Sequence, residues 1–216
     1  MFYRRFGSSK KWLVFLHGWG ADHNSFLWLK DYFEESYSLL FIDFPGFGNS
    51  ENLARKMSLN DYVSGLKKVL DQFEIENLTF VAHSFGGRVA IKFLFYYQKF
   101  YNETSLCLVD SAGILPRRGL KYWWNVRRYK KLDPIMRQTF IAVVNEDLSC
   151  FAKFIKSKTI IVWGAKDKDT KIYMARKLKR FIKHSKLVIL KGAGHFSFLE
   201  KKEDFVIILD RFLKNL

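Results

Sequence analysis

The chain has 216 residues, 49% of them hydrophobic and 27% charged, enough to build one domain with a full core of enzyme size. Its longest apolar runs, Trp12 to Leu16, Leu106 to Val109 and Phe205 to Leu209, are far too short to cross a bilayer, and no secretory leader pattern is visible, so a soluble, cytoplasmic protein is expected. A net charge of +16 favours acidic partners such as nucleic acid, an anionic membrane or an acidic protein, unless it only reflects a lysine-rich composition.

In chain order, Arg4 to Gly7 is a candidate antiparallel edge strand, and Trp12 to Leu16 is an apolar run of strand length that ends in His17-Gly18-Trp19-Gly20. A helical pattern from Asn24 to Glu34 precedes the next strand, Leu39 to Asp43, and the loop Asp43-Phe44-Pro45-Gly46-Phe47-Gly48-Asn49-Ser50. Ser58 to Phe73 reads as a helix capped by Ser58 or Asn60. The strand Leu78 to Val81 runs through Ala82-His83-Ser84-Phe85-Gly86-Gly87 into a helix over Arg88 to Lys99. Further strands are expected at Leu106 to Asp110, Thr159 to Trp163 and Leu187 to Leu190, with helices at Lys171 to His184 and Glu203 to Leu216. Six strands alternating with helices predict an α/β fold, a mostly parallel sheet covered on both faces. Cys107, in a strand, and Cys150, in a helical stretch, have neither disulfide nor metal-site spacing and are expected to be reduced packing residues.

In such sheets the chemistry gathers at the carboxyl ends of the strands. Four loops follow strands there: His17 to Gly20, Asp43 to Ser50, Gly164-Ala165-Lys166-Asp167 and Gly192-Ala193-Gly194-His195. Ser84 joins them on a strand-to-helix turn so sharp that the positions two before and two after must be very small, and Ala82 and Gly86 meet that need. The helix N-terminus beneath the hydroxyl favours developing negative charge. A short pattern of this kind also arises by chance, so the weight comes from the company it keeps.

Taken together, the elbow and the four loops resemble the α/β-hydrolase superfamily over nearly the whole chain, with Ala82 in place of the usual first glycine. The resemblance implies a nucleophile, acid and base in the chain order Ser, Asp, His, met by Ser84, Asp167 and His195. Asp169 and Asp110 remain open as alternative acids. His17 is implied to be structural, His83 points away from its neighbour Ser84, and His23 and His184 are expected to be solvated. Asp43 is expected to tie its loop together by hydrogen bonds. The oxyanion donors implied are the amides of Trp19 and Phe85, and Trp19, Phe85 and Phe196 are expected around the acyl pocket. Haloalkane dehalogenases and epoxide hydrolases carry an aspartate where Ser84 stands, so the serine points to ester, thioester or amide hydrolysis, or to carbon–carbon cleavage of the dienoate type. No metal or organic cofactor is implied. A scaffold that binds a ligand without turnover is the competing class.

The core is expected to comprise residues 1–112 and 157–216, with residues 113–156 inserted after the family's sixth-strand position as a short helical lid. Its first half, Pro116 to Lys131, interleaves basic and aromatic residues with no acidic one, and includes Arg127 and Arg128. That face is either simply solvated, or it docks an acidic carrier protein or anionic substrate through its arginines. The carrier reading follows a similarity to pimeloyl-carrier-protein methyl ester esterases. Membrane contact through Trp123 and Trp124 and nucleic-acid binding are weaker readings. The second half, Pro134 to Cys150, reads as one helix with Met136, Phe140, Val143 and Val144 inward.

Overall fold

A β-branched and aromatic strand pattern produces, in the computed structural model, a seven-stranded sheet in the order β1-β3-β2-β4-β5-β6-β7. The structure describes residues 1–115 and 132–216. The strands are β1 Phe2–Phe6, β2 Lys11–Leu16, β3 Ser38–Asp43, β4 Asn77–His83, β5 Glu103–Val109, β6 Lys158–Gly164 and β7 Ser185–Leu190. All neighbours run parallel except β1, which pairs antiparallel with β3, so the candidate edge strand forms slightly earlier than its sequence pattern marks. The inner strands are buried almost throughout, which matches their unbroken apolar runs, whereas β1 and β7 at the edges are half-exposed.

Alternation along each strand separates the core into two layers. Trp12, Val14, Leu16, Ile42 and Phe80 face α3 (Leu59–Leu70) and α4 (Phe85–Tyr97). Leu13, Phe15, Phe41, Val81 and Val162 face the opposite way, toward Phe26 and Phe33 of α1 (Asn24–Leu27) and α2 (Lys30–Phe33), and toward Phe205 and Leu209 of a C-terminal helix. The cap of α3 is Ser58, whose hydroxyl and main-chain N–H form a reciprocal capping box with Asp61.

Several sequence expectations change here. The helix expected over Asn24 to Glu34 is broken into α1 and α2, because Leu29 and Tyr32 make tight bonds to carbonyls three residues back. His23, expected to be solvated, is buried: its main-chain N–H and ring bond to Asp43 at the end of β3. Cys150 is exposed and is therefore not a packing residue, unlike Cys107 in the core. The helix expected over Pro134 to Cys150 ends early, as α5 (Pro134–Val144), and a further turn, α6 (Ser149–Ala152), follows. Between them the Arg88 guanidinium donates to the Glu146 carbonyl and the Lys92 ammonium pairs with its carboxylate, while Leu148 N–H bonds Gly113 O at 2.9 Å. These tertiary partners outbid continued helix. Phe140 and Val143 of α5 do face inward, with Thr139 beside them.

The helix α4 begins at Phe85 rather than at Arg88, because Ser84 itself occupies its cap. The first turn of α4 passes so close to β2 that a Cβ on Gly86 would lie 2.2 Å from the Leu16 carbonyl oxygen. Gly86→Ala is accordingly expected to lower stability by about 1–3 kcal/mol, because backbone must move to admit the methyl group. Urea unfolding checks this, as a lower midpoint at an unchanged slope.

Candidate active site

Ser84 is one of two non-glycine residues with positive φ among the described residues, at φ 46 and ψ −108. Its strained backbone is held from both sides, with Ser84 N–H donating to Val109 O at 3.1 Å and Ala112 N–H to Ser84 O at 3.0 Å. The side chain reaches the loop after β7: Ser84 Oγ lies 3.1 Å from His195 Nε2. On its other edge, His195 Nδ1 lies 2.9 Å from Asp167 Oδ2, in the turn that follows β6. Nδ1–H donating to the carboxylate leaves Nε2 as an acceptor for the serine O–H. A hydroxyl, an imidazole and a carboxylate thus stand in one hydrogen-bonded line.

Local chemistry builds the acid's turn. Asp167 Oδ1 accepts the main-chain N–H groups of Asp169 (2.8 Å) and Thr170 (2.9 Å), and Oδ2 accepts the Thr170 hydroxyl at 2.6 Å. Burial is the largest single influence on Asp167 and opposes its ionisation, but the hydrogen bond and charge of His195 and the two Thr170 hydrogen bonds together outweigh it and hold its pKa below the ordinary carboxylate value. For His195, burial would favour the neutral ring, yet the Asp167 carboxylate prevails and raises the pKa. The two shifts affect stability in opposite pH ranges. The His195 contribution is full below about pH 6.5 and is lost as pH rises through the folded value, whereas the Asp167 contribution is present above about pH 3.9 and is lost in acid.

Asp169 and Asp110 stand elsewhere. Asp169 is exposed, and Asp110, fully buried at the end of β5, spends its carboxylate on the main-chain N–H groups of Gly164 and Ser197. The other histidines also separate by environment. His83 turns away from Ser84 and donates through Nε2–H to the His195 carbonyl at 2.8 Å, and burial drives its pKa down to about 3. His17 donates from Nδ1 to Gly18 O and accepts Phe44 N–H at Nε2, tying the first loop to the second, with its pKa lowered by burial. Asp43 organises the second loop, as expected: it accepts Asn49 N–H at 2.8 Å on its carboxylate and the Ser50 hydroxyl at 2.6 Å on its carbonyl. His184 is exposed.

The model of the alpha/beta hydrolase fold family matches two overlapping stretches, residues 11–111 and 92–202. The chain belongs to this family. A curated relative, the AB hydrolase superfamily protein YisY of Bacillus subtilis, is 24% identical over 243 residues, covering 93% of this chain and 90% of its own. Among solved structures, the esterase EaEST from Exiguobacterium antarcticum superposes with a TM-score of 0.85 at 24% identity, over 99% of this chain and 95% of that one. A meta-cleavage product hydrolase from Pseudomonas fluorescens IP01 gives a TM-score of 0.78 at 17% identity, over 99% and 93%. At these identities the solved structures establish the shared fold.

In this hydrolase-fold chain, the loop after β2 leans on the elbow: a Cβ on Gly18 would lie 2.6 Å from His83 Nδ1 and 3.4 Å from Ser84 Cβ. Next to it, the half-buried Trp19 ring meets Phe47 (4.9 Å), Phe85 (5.3 Å) and Phe140 (5.0 Å). Phe196 is exposed beside His195, at a ring distance of 5.5 Å. Arg127 and Arg128 lie outside the described residues. Among those described, no group of three or more His, Cys, Asp or Glu side chains could hold a metal ion, and no helix is long and apolar enough to cross a membrane. Thr170 and Phe47 are the contributors that the sequence reading passed over. For Thr170 a signal existed, since a hydroxyl residue three positions after an aspartate in a turn is placed to bond its carboxylate. For Phe47 there was none, because only the folded loop brings it to Trp19.

In an NMR titration of the imidazoles, His195 is expected to lose its proton above the ordinary value of about 6.5. Asp167→Asn should bring that midpoint down, and an unmoved midpoint would remove Asp167 as the partner.

Proposed function

We propose that the protein is a serine hydrolase that cleaves a carboxylic ester or thioester through an acyl-enzyme. The observation that carries this reading is the continuous line Ser84 Oγ, His195 and Asp167, at 3.1 and 2.9 Å, on the strained turn of a hydrolase fold. Ser84 Oγ attacks the carbonyl carbon while His195 Nε2 takes its proton, and Asp167 stabilises the imidazolium. The tetrahedral oxyanion is held by the Trp19 and Phe85 amides. Among the hydrogen bonds of the described residues neither amide donates to an acceptor, which suits that role. Collapse expels the alcohol or thiol with the proton from His195, and water then repeats the cycle to release the acid.

The aromatic wall of Trp19, Phe47, Phe85 and Phe140 supports an apolar acyl pocket, to which α5, within the segment expected to form the lid, supplies Phe140. For the leaving-group side, the reading is an acyl-carrier or other anionic ester met by Arg127 and Arg128, the basic half of that lid. A second reading, carbon–carbon cleavage beside a ketone, draws on the meta-cleavage product hydrolase neighbour and would use the same three residues.

Ser84→Ala is expected to lower turnover of a short-chain p-nitrophenyl ester by about 10,000-fold or more, and to abolish labelling by a fluorophosphonate probe. Wild-type protein that takes no label under conditions that label a control esterase would leave only the ligand-binding scaffold. Rapid turnover of a dienoate ketone with negligible ester turnover would favour the second reading. For the basic segment, Arg127→Glu with Arg128→Glu is expected to weaken turnover of an acyl-carrier ester and its salt dependence, while leaving p-nitrophenyl acetate unaffected.

A further inference from the structure

Asp110 is the other non-glycine residue with positive φ among the described residues, at 43, and it directly follows β5, beside the elbow of β4. A buried carboxylate in a strained backbone is doubly costly, so its surroundings must hold it there. Its main-chain N–H extends the sheet ladder to Val162 O at 3.0 Å. Its carboxylate divides between two loops. Oδ1 accepts Gly164 N–H at 2.7 Å, at the start of the turn that carries Asp167, and Oδ2 accepts Ser197 N–H at 3.0 Å, two residues beyond His195. Its carbonyl lies 3.0 Å from Thr170 Oγ1, the hydroxyl that also meets Asp167 Oδ2 and stands 3.3 Å from His195 Nδ1. The same two loops touch directly, through Lys166 N–H to Ala193 O at 2.8 Å and Ala165 N–H to Leu190 O at 3.0 Å.

We propose that Asp110 is a positioning residue: by gripping the Gly164 and Ser197 amides with one carboxylate, it sets the spacing and orientation of the loops that present Asp167 and His195 to Ser84. This rests on the proposed roles of those three residues. A carboxylate does this where an amide side chain cannot, because both of its oxygens accept and two N–H donors converge on it. The titratable groups coupled to it are Asp167, whose charge opposes its own, and His195. Burial pushes the Asp110 pKa up to about 7 against the pull of its two N–H partners, and the Asp110 charge in turn helps raise that of His195. The carboxylate therefore acts on the base both through backbone geometry and through its field.

The test compares fluorophosphonate labelling rates across pH for wild type, Ser84→Ala and Asp110→Asn, well below their unfolding temperatures. The expected result for Asp110→Asn is a folded protein whose labelling rate falls about 10- to 100-fold, as for a misplacement of about 1 Å. Its acid-limb midpoint should also move to lower pH, because His195 has lost a nearby negative charge. An unchanged rate, or a slower rate with an unmoved midpoint, would overturn the proposal, since loosened packing alone does not shift the base. If Ser84→Ala labels as fast as wild type, the serine-hydrolase reading fails instead. Should Asp110→Asn not fold, the wild-type amide protons of Gly164 and Ser197 decide: shifting together through one midpoint as pH falls supports the shared carboxylate, and independent or absent shifts refute it.

Discussion

The passage from β4 into α4 is the constraint on which the rest of the molecule depends. The chain reverses within one residue, Ser84, and the cost of its positive φ is met by main-chain bonds to Val109 and Ala112 and by a helix whose first turn rests against Leu16. Because β4 lies at the centre of the sheet, between β2 and β5, the elbow cannot shift without breaking two ladders. The hydroxyl is therefore delivered to a fixed point, and the loops after the other strands are built toward it.

Electrostatics sorts the polar residues around that point into different tasks. Two buried histidines, His17 and His83, are kept neutral by desolvation and serve as hydrogen-bonded struts, whereas His195 keeps a raised pKa because a carboxylate shares its burial. Asp43, Asp110 and Asp167 are likewise all buried, each at or just beyond a strand end. Asp43 gathers its own loop and His23, Asp110 joins the loops after β6 and β7, and only Asp167 faces an imidazole in line with the serine. Residue type alone does not separate these three; the direction of the side chain and the donors it meets do.

Much of this was legible in the chain. Apolar runs of strand length punctuated by glycine-rich loops sufficed for the parallel sheet, and the small residues around Ser84 sufficed for the elbow, because tight turns demand small residues at set positions, while the family resemblance pointed to Asp167 and His195 and left Asp169 and Asp110 open. The failures have a common physical origin. His23 read as solvated because its helix-edge context is local, whereas its burial comes from Asp43, twenty residues away. The break after α5 was invisible because Arg88 and Lys92, which capture Glu146, lie on another element. Local pattern carries propensity and periodicity, and long-range partners override both.

By itself the sequence determined the alternation of strand and helix and the elbow around Ser84, since both follow from spacing and from the steric needs of neighbouring residues, whereas the chain order of hydroxyl, carboxylate and imidazole was what the family resemblance implied. Tertiary structure alone decided which aspartate meets His195, which histidines stay neutral, which rings wall the space beside Trp19, and that Asp110 joins two loops far apart in the chain. Those outcomes depend on distance and desolvation between residues that only the folded sheet brings together.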